Sequence, residues 1–228
     1  IRRAASDVYK RQVKEVNGLE PVFFGFDKKN DIYADDVESK GLAGTVFTAV
    51  TPKGKMRLRV NVPGHHMVSN ALAAVAIGLE LGLDEKQIAA GVAAFKPVSG
   101  HSSIVETDRF TIMDDCYNAN PISTKAGLDV LAEAEERKVA ILGDMFELGS
   151  DERKLHYEVG EYAADKGIDC IVCAGELAKE YYDGAKAAGK TEGLYYFATR
   201  DEAVDRLKNI VNCLLYTSPS PRDTERSR

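Results

Sequence analysis

The sequence predicts an α/β protein built in two parts, and three observations carry that expectation. From Ser103 onward, short apolar runs alternate with amphipathic stretches in βαβα order with short connections, the pattern of a mostly parallel sheet covered by helices. Before that, a hairpin and two helices end at Pro97-Val98-Ser99-Gly100, a credible domain boundary. The stretch IMDDCYNANPISTKAGLDVL, Ile112 to Leu131, then reads as a buried strand, a polar elbow and an amphipathic helix. Ligands of open α/β sheets collect outside the carboxyl ends of strands, near helix N-termini with free N–H groups.

Taken in order, Leu19 to Phe26 (LEPVFFGF) reads as a strand ending at the turn cluster Asp27–Asp31. Gly44 to Val50 and Lys55 to Val60 flank TPKG, where Pro and Gly stand in turn positions of a hairpin. TPKGK is no phosphate loop, because it lacks the G-x-x-x-x-G-K-[ST] spacing and no helix follows it. After Pro63-Gly64, apolar Val68, Leu72, Val75, Ala76 and Leu79 recur at helical spacing, and Gly82 marks the end. Asp84 caps a second helix from about Glu85 to Phe95, stopped before Pro97. In the second part the strands are Ile104–Val105, Phe110–Met113, Val139–Leu142, Cys170–Cys173 and Tyr195–Phe197. The helices are Ile122 to Ala134, Glu152 to Asp165, Leu177 to Ala188 and Glu202 to Val211. This order stops after a helix with no closing strand, so at least one further strand and helix are expected to be missing.

Composition narrows the class. The 228 residues suffice for one large or two modest domains, and 44% hydrophobic with 29% charged residues is ordinary for a globular protein. No run approaches the roughly 18 apolar residues of a membrane span, and no apolar signal segment opens the chain. Ala4 to Gln12 and Cys213 to Asp223 resemble translated sequencing-adapter read-through, so residues 1–12 and 213–228 are expected to be non-native. Those ends hold seven basic and three acidic side chains, which leaves the rest near −10 instead of −6. An acidic body argues against a nucleic-acid surface, yet not against a nucleotide, whose phosphates local Lys, backbone N–H groups or Mg²⁺ neutralise. Cys170 and Cys173 have CxxC spacing, but they sit on one strand, where i and i+3 face opposite sides, and no second pair completes a zinc site. Buried free thiols in a cytoplasmic protein are the expectation.

Several side chains are candidates for a site. Asp114 and Asp115 are adjacent, so one can serve a ligand while the other caps the turn; the plain alternative is a pair of turn carboxylates. Asn118 and Asn120 can cap the helix or present amides to a polar substrate, one residue apiece. His66 and Asn70 lie four apart at the start of a helix, on one face, where capping competes with a nucleotide edge. The loop Gly143 to Gly149 brackets Asp144 and Glu147 between glycines; its Met, Phe and Leu are expected to anchor it and leave an acid toward the cleft. No Ser-His-Asp order, nucleophile elbow or metal-ligand set emerges, so neither catalytic nor metal residues are assigned. Pattern alone reaches a two-domain α/β protein with a polar cleft near Asp115, a nucleotide-using enzyme or else a binding module.

The segments VPGHHMVSNALAA (Val62–Ala74), DDCYNANPISTKAGLDVL (Asp114–Leu131) and ILGDMFELG (Ile141–Gly149), in this order, resemble the Mur ligases. NANP with GDMxELG resembles the branch that joins D-alanyl-D-alanine to UDP-N-acetylmuramoyl-tripeptide, and a sister enzyme adding a single amino acid is the nearest alternative. The resemblance implies that residues 13–99 are the later half of a central ATP-binding domain. It implies that residues 100–212 are most of a Rossmann-like C-terminal domain, incomplete at its end. It further implies ATP and Mg²⁺, an acyl phosphate attacked by the dipeptide amine, a closed dry cleft, a cytoplasmic location and a monomer.

By the same resemblance, Asn70 is the adenine contact with His66 beside it, and Asp115 holds the ATP ribose. Asn118, Asn120, Asp144 and Glu147 line the dipeptide side. His156 matches a histidine of the following helix, with a structural role expected. Where the family usually has Arg after the junction glycine, this chain has Gly100-His101; the shorter His101 reaches ATP less well. The sequence contains no Walker-type loop, and the resemblance leaves the first-half Mg²⁺ glutamate, the carbamylated lysine and the late Lys-Gly-Ser strand without counterparts. The 228 residues are therefore expected to be inactive as a ligase by themselves.

Overall fold

The structure, a computed structural model, describes residues 20–210; the expectations for residues 1–12 and 213–228 lie outside that range. The chain divides into two compact units between Lys96 and Pro97.

In the first unit, β1 (Phe24–Gly25), β2 (Ile32–Ser39), β3 (Thr45–Thr51) and β4 (Gly54–Val60) form one sheet in that order. β1 runs parallel to β2, and the other pairs are antiparallel. The pleat sends alternate residues to opposite faces. Phe47 and Ala49 of β3 and Met56, Leu58 and Val60 of β4 are buried, while Lys55, Arg57 and Arg59 point outward. Helices α1 (His65–Glu80) and α2 (Glu85–Ala94) contribute Val68, Leu72, Val75, Ile88 and Val92 to the same core. Asp84 caps α2 through Gln87 N–H at 2.8 Å, and the Gln87 side chain returns the bond to Asp84 N–H. The TPKG hairpin forms as expected, with Thr51 opposite Gly54.

Two elements differ from expectation here. Among the described residues of the Leu19–Phe26 run only Phe24 and Gly25 are strand, and β2 arises from IYADDVES, a stretch to which the sequence assigned no element. Its alternation is broken by a bulge between Asp35 and Glu38, where Asp36 takes φ 48.

In the second unit, β5 (Ser103–Glu106) and β6 (Thr111–Asp114) pair antiparallel as a separate ribbon. A four-residue connection cannot carry the crossover that parallel strands require. Helix α3 (Pro121–Ala132) follows. The three-stranded sheet β7 (Val139–Gly143), β8 (Cys170–Ala174) and β9 (Leu194–Phe197) is parallel throughout, with β8 central. Its connections are α4 (Glu152–Asp165) and α5 (Ala178–Ala187), and α6 (Arg200–Ile210) follows β9. As the central strand, β8 has Cys170 to Cys173 buried on both faces, which is why it reads as an unbroken apolar run. Among the described residues no helix is long and apolar enough to cross a membrane.

Candidate functional site

The polar elbow after β6 is held by its own carboxylates. Asp114 accepts Gly100 N–H at 3.0 Å and the Cys116 thiol at 2.6 Å. Asp115 accepts both the N–H and the hydroxyl of Ser102, at 2.9 and 3.1 Å through the same oxygen, Oδ1. Both adjacent acids thus pin the 100–102 turn, the plain role of turn carboxylates. Ser102 adopts φ 52 there, a left-handed conformation uncommon for serine. Burial first, and the bond to Asp114 second, push the Cys116 thiol well above its ordinary range. Asp115 Oδ2 is turned toward α3, where Gly127 leaves room; a Cβ there would stand 3.5 Å from that oxygen.

Asn120 is committed to the helix. Its Oδ1 accepts Ile122 and Ser123 N–H, both at 3.0 Å, and its own N–H donates to Ser123 Oγ at 3.1 Å. Pro121 fills the first helical position, where a missing N–H costs nothing. Asn118, by contrast, is exposed.

The loop after β7 is fixed at two consecutive residues. Asp144 accepts Glu176 N–H at 3.1 Å and Ala178 N–H at 2.7 Å, capping α5 across the carboxyl ends of β7 and β8. Met145 is fully buried, and its N–H donates to His156 Nε2 at 2.9 Å. The next residue, Phe146, is 70% exposed, and Glu147, also exposed, takes φ 62. The expected apolar anchoring is therefore performed by Met145 and not by Phe146. Of the two acids, Glu147 is the outward one, while Asp144 serves as a cap.

These segments enclose one cavity of about 320 Å³ within the second unit. Asp115, Asn118 and Asp144 line it, beside Tyr117, Thr124 and Phe146 and over an apolar floor from α3 and β7. Asn120, Glu147 and His101 are not among its lining residues. The His101 ring lies against Tyr117 at a tilt of 37° with ring centroids 4.4 Å apart, and Tyr117 is 71% exposed. Sequence reasoning missed Tyr117, Phe146, Thr124 and Ser102. An exposed-type aromatic set among Asp and Asn at the elbow, and a glycine inside α3, were the available signals.

In the first unit, His66 is half-buried and Asn70 exposed, near the start of α1. Asn70 Nδ2 lies 3.6 Å from Met67 Sδ, a weak partner. Gly64, with φ 107, gives α1 no side-chain cap. His65 stacks on Phe26 at 4.0 Å between centroids. Among the described residues no group of three or more His, Cys, Asp or Glu is placed to hold a metal ion, and Cys170 and Cys173 are free, buried thiols.

Comparison with known proteins agrees with the motifs. The Mur ligase middle domain matches residues 4–78, and the Mur ligase glutamate ligase domain matches residues 102–213. The UDP-N-acetylmuramoyl-tripeptide--D-alanyl-D-alanine ligase of Escherichia coli K12 is 36% identical over 169 residues, covering 74% of this chain and 36% of its own length. Its counterpart from Mycobacterium tuberculosis CDC 1551 is 40% identical over 193 residues, covering 79% and 37%. The crystal structure of MurF from Acinetobacter baumannii superposes with a TM-score of 0.77 at 28% identity, over 90% of this chain and 45% of that one. The chain thus spans little more than a third of the length of those curated relatives. With both domain matches in family order and the three quoted segments falling within the described fold, the chain belongs to the Mur ligase family.

Proposed function

We propose that the chain is part of an ATP-dependent ligase that joins D-alanyl-D-alanine to UDP-N-acetylmuramoyl-tripeptide in the cytoplasm, and that the cavity of the second unit receives the dipeptide. The observation that carries the reading is the composition of that cavity. Asp115, Asn118 and Asp144 bring carboxylates and an amide to a space of about 320 Å³ whose floor is apolar. Such a space suits a small ligand with an ammonium group, a peptide bond and methyl side chains. It runs along the edge strand β7 from Val139 to Gly143 and reaches Asp144 just past that strand's carboxyl end, the end at which α/β sheets collect ligands.

For the nucleotide, the residues of α1 fit an adenine edge. Asn70 is exposed with its amide only weakly engaged, and the first turn of α1 has no side-chain cap. Asn70 and His66, both on the first unit, would hold that edge. ATP, when bound, supplies the phosphoryl group that activates the tripeptide carboxylate. For Mg²⁺ the described residues offer no ligand cluster. What the chain's own groups do is orient the incoming amine and keep water out. Asp115, Asn118 and Asp144 would receive the dipeptide's ammonium end, which must give up a proton to water before the free amine attacks.

Titration of the isotope-labelled chain with D-alanyl-D-alanine, D-alanine and a single L-amino acid tests the reading. The expected result is that the dipeptide alone shifts the amide resonances of residues 115–119 and 143–146. Equal response to a single amino acid would favour a sister ligase, and no response to any of them would remove the cavity from the reaction.

A further inference from the structure

His156 lies on α4, outside the residues that line the cavity, yet it is fully buried and both ring nitrogens are engaged. Nε2 accepts the Met145 N–H at 2.9 Å, so that nitrogen carries no proton. Nδ1 therefore bears the ring hydrogen and donates it to Glu152 O at 2.7 Å, one turn back on the same helix. The ring packs against Tyr181, centroids 4.7 Å apart, and Tyr181 is 1% exposed and reaches the cavity from α5. Met145 is held a second way, its Sδ lying 3.7 Å from Thr124 Oγ1 on α3. With Asp144 fixed to the start of α5, residues 144 and 145 are tied to three helices. The residue that follows is the opposite case: Phe146 is 70% exposed, lines the cavity and precedes a left-handed glutamate. A large exposed aromatic at the end of a rigid tether is positioned, not merely left over.

We propose that His156 is a positioning residue that, by accepting the Met145 N–H, holds Phe146 as an apolar lip at the cavity mouth, where it closes on the methyl groups of the entering dipeptide. The ligand in this statement rests on the proposed function; the tether does not.

The chain contains no tryptophan, so Phe146→Trp introduces a single indole reporter at the lip. Three readouts decide the matter. In the unaltered chain the Met145 amide exchanges its hydrogen at least about tenfold more slowly than those of Phe146 and Glu147, as expected for one buried hydrogen bond. Equal rates would overturn the proposal without any substitution of His156, so a misfolded variant does not shield it. In the F146W background, His156→Leu speeds Met145 exchange by about tenfold and makes the indole more accessible to acrylamide, while β8 amides keep their protection. His156→Gln, whose amide oxygen can accept the same N–H, restores both signals. A purely structural histidine would show no such rescue, or would lower β8 protection in step. Finally, D-alanyl-D-alanine shields the indole in F146W and loses that effect in the His156→Leu double variant. Tether signals that behave as expected with no shielding by the dipeptide would refute the ligand reading, whereas shielding that survives His156→Leu would refute the lip.

Discussion

At the scale of single residues, Asp144 illustrates how one carboxylate can organise a site without reacting. It accepts two backbone N–H groups at the start of α5 and faces a glycine it leaves no room to replace. A Cβ on Gly175, whose φ is 139, would stand 2.2 Å from Asp144 Oδ1. Gly175→Ala is expected to destabilise the second unit by about 2–3 kcal/mol through backbone strain and displacement of the cap. Asp144→Ala is expected to cost about 1–2 kcal/mol as a lost cap. Because both act on one contact, the double variant should fall clearly short of the sum in urea unfolding; full additivity would mean that the contact is not shared. Asn120→Ala, a separate cap, should cost about 1 kcal/mol, and Asn120→Asp little. Legibility divides these two residues. Asn120 announces its role locally, standing before Pro121 and three residues ahead of Ser123. Asp144 could not, since its partners lie 32 and 34 residues away and are set by the pairing of β7 with β8. For the same reason Glu147, which looks equivalent in sequence, proves to be the exposed acid of the pair.

Among elements, the α4–α5 pair is what brings His156 and the Asp144 cap to a fixed distance. The two helices touch backbone to backbone. A Cβ on Gly160 would meet Tyr181 O at 2.1 Å, and one on Gly184 would meet Tyr157 O at 2.2 Å. Glycine inside a helix sacrifices about 1 kcal/mol relative to alanine, so two facing ones are retained for approach. Gly160→Ala should therefore destabilise the unit by about 2–3 kcal/mol, against the small gain an exposed helix site would give. It should also speed exchange of the Met145 amide, because α5 carries both the Asp144 cap and Tyr181. Gain of stability in thermal unfolding would contradict the close packing. The helices themselves were readable, since their apolar spacing and caps are local. The strands were less so. β2 has Asp35-Asp36 at its bulge, two acids that hide its alternation, and between residues 20 and 26 only Phe24 and Gly25 form β1. The β5–β6 ribbon stands apart from the parallel sheet although both were legible as strands, because register and partner are tertiary choices that periodicity does not encode.

Over the whole molecule, the two units carry buried acids unequally, and this has a consequence for pH. The first unit contains no cysteine. In the second, burial suppresses the ionisation of Cys170, Cys173 and Tyr181, each at most 1% exposed, and pushes it to higher pH. The folded unit keeps protons that the unfolded chain releases from thiols near pH 8.5 and from tyrosine near pH 10. Its stability is therefore complete below about pH 8.5 and falls as pH rises, roughly tenfold in the folded-to-unfolded ratio per pH unit for each group once its unfolded counterpart ionises. Glu38 of the first unit works in the other direction. Lys40, by hydrogen bond and by charge, and then Arg57 hold its carboxyl below the usual range, so its contribution is present above about pH 4.3 and is lost on acidification. As Glu38 is exposed, that acid-side effect is small, and the alkaline one should dominate. Calorimetry from pH 7 to 10.5 should show the transition of the second unit moving to lower temperature while that of the first, followed by amide protection in β3 and β4, stays nearly fixed. Cys173→Ala should flatten the alkaline slope by about one proton and leave the neutral-pH value lower by the lost packing. Parallel shifts of both units, or an unchanged slope in Cys173→Ala, would mean that these buried acids do not set the alkaline limit.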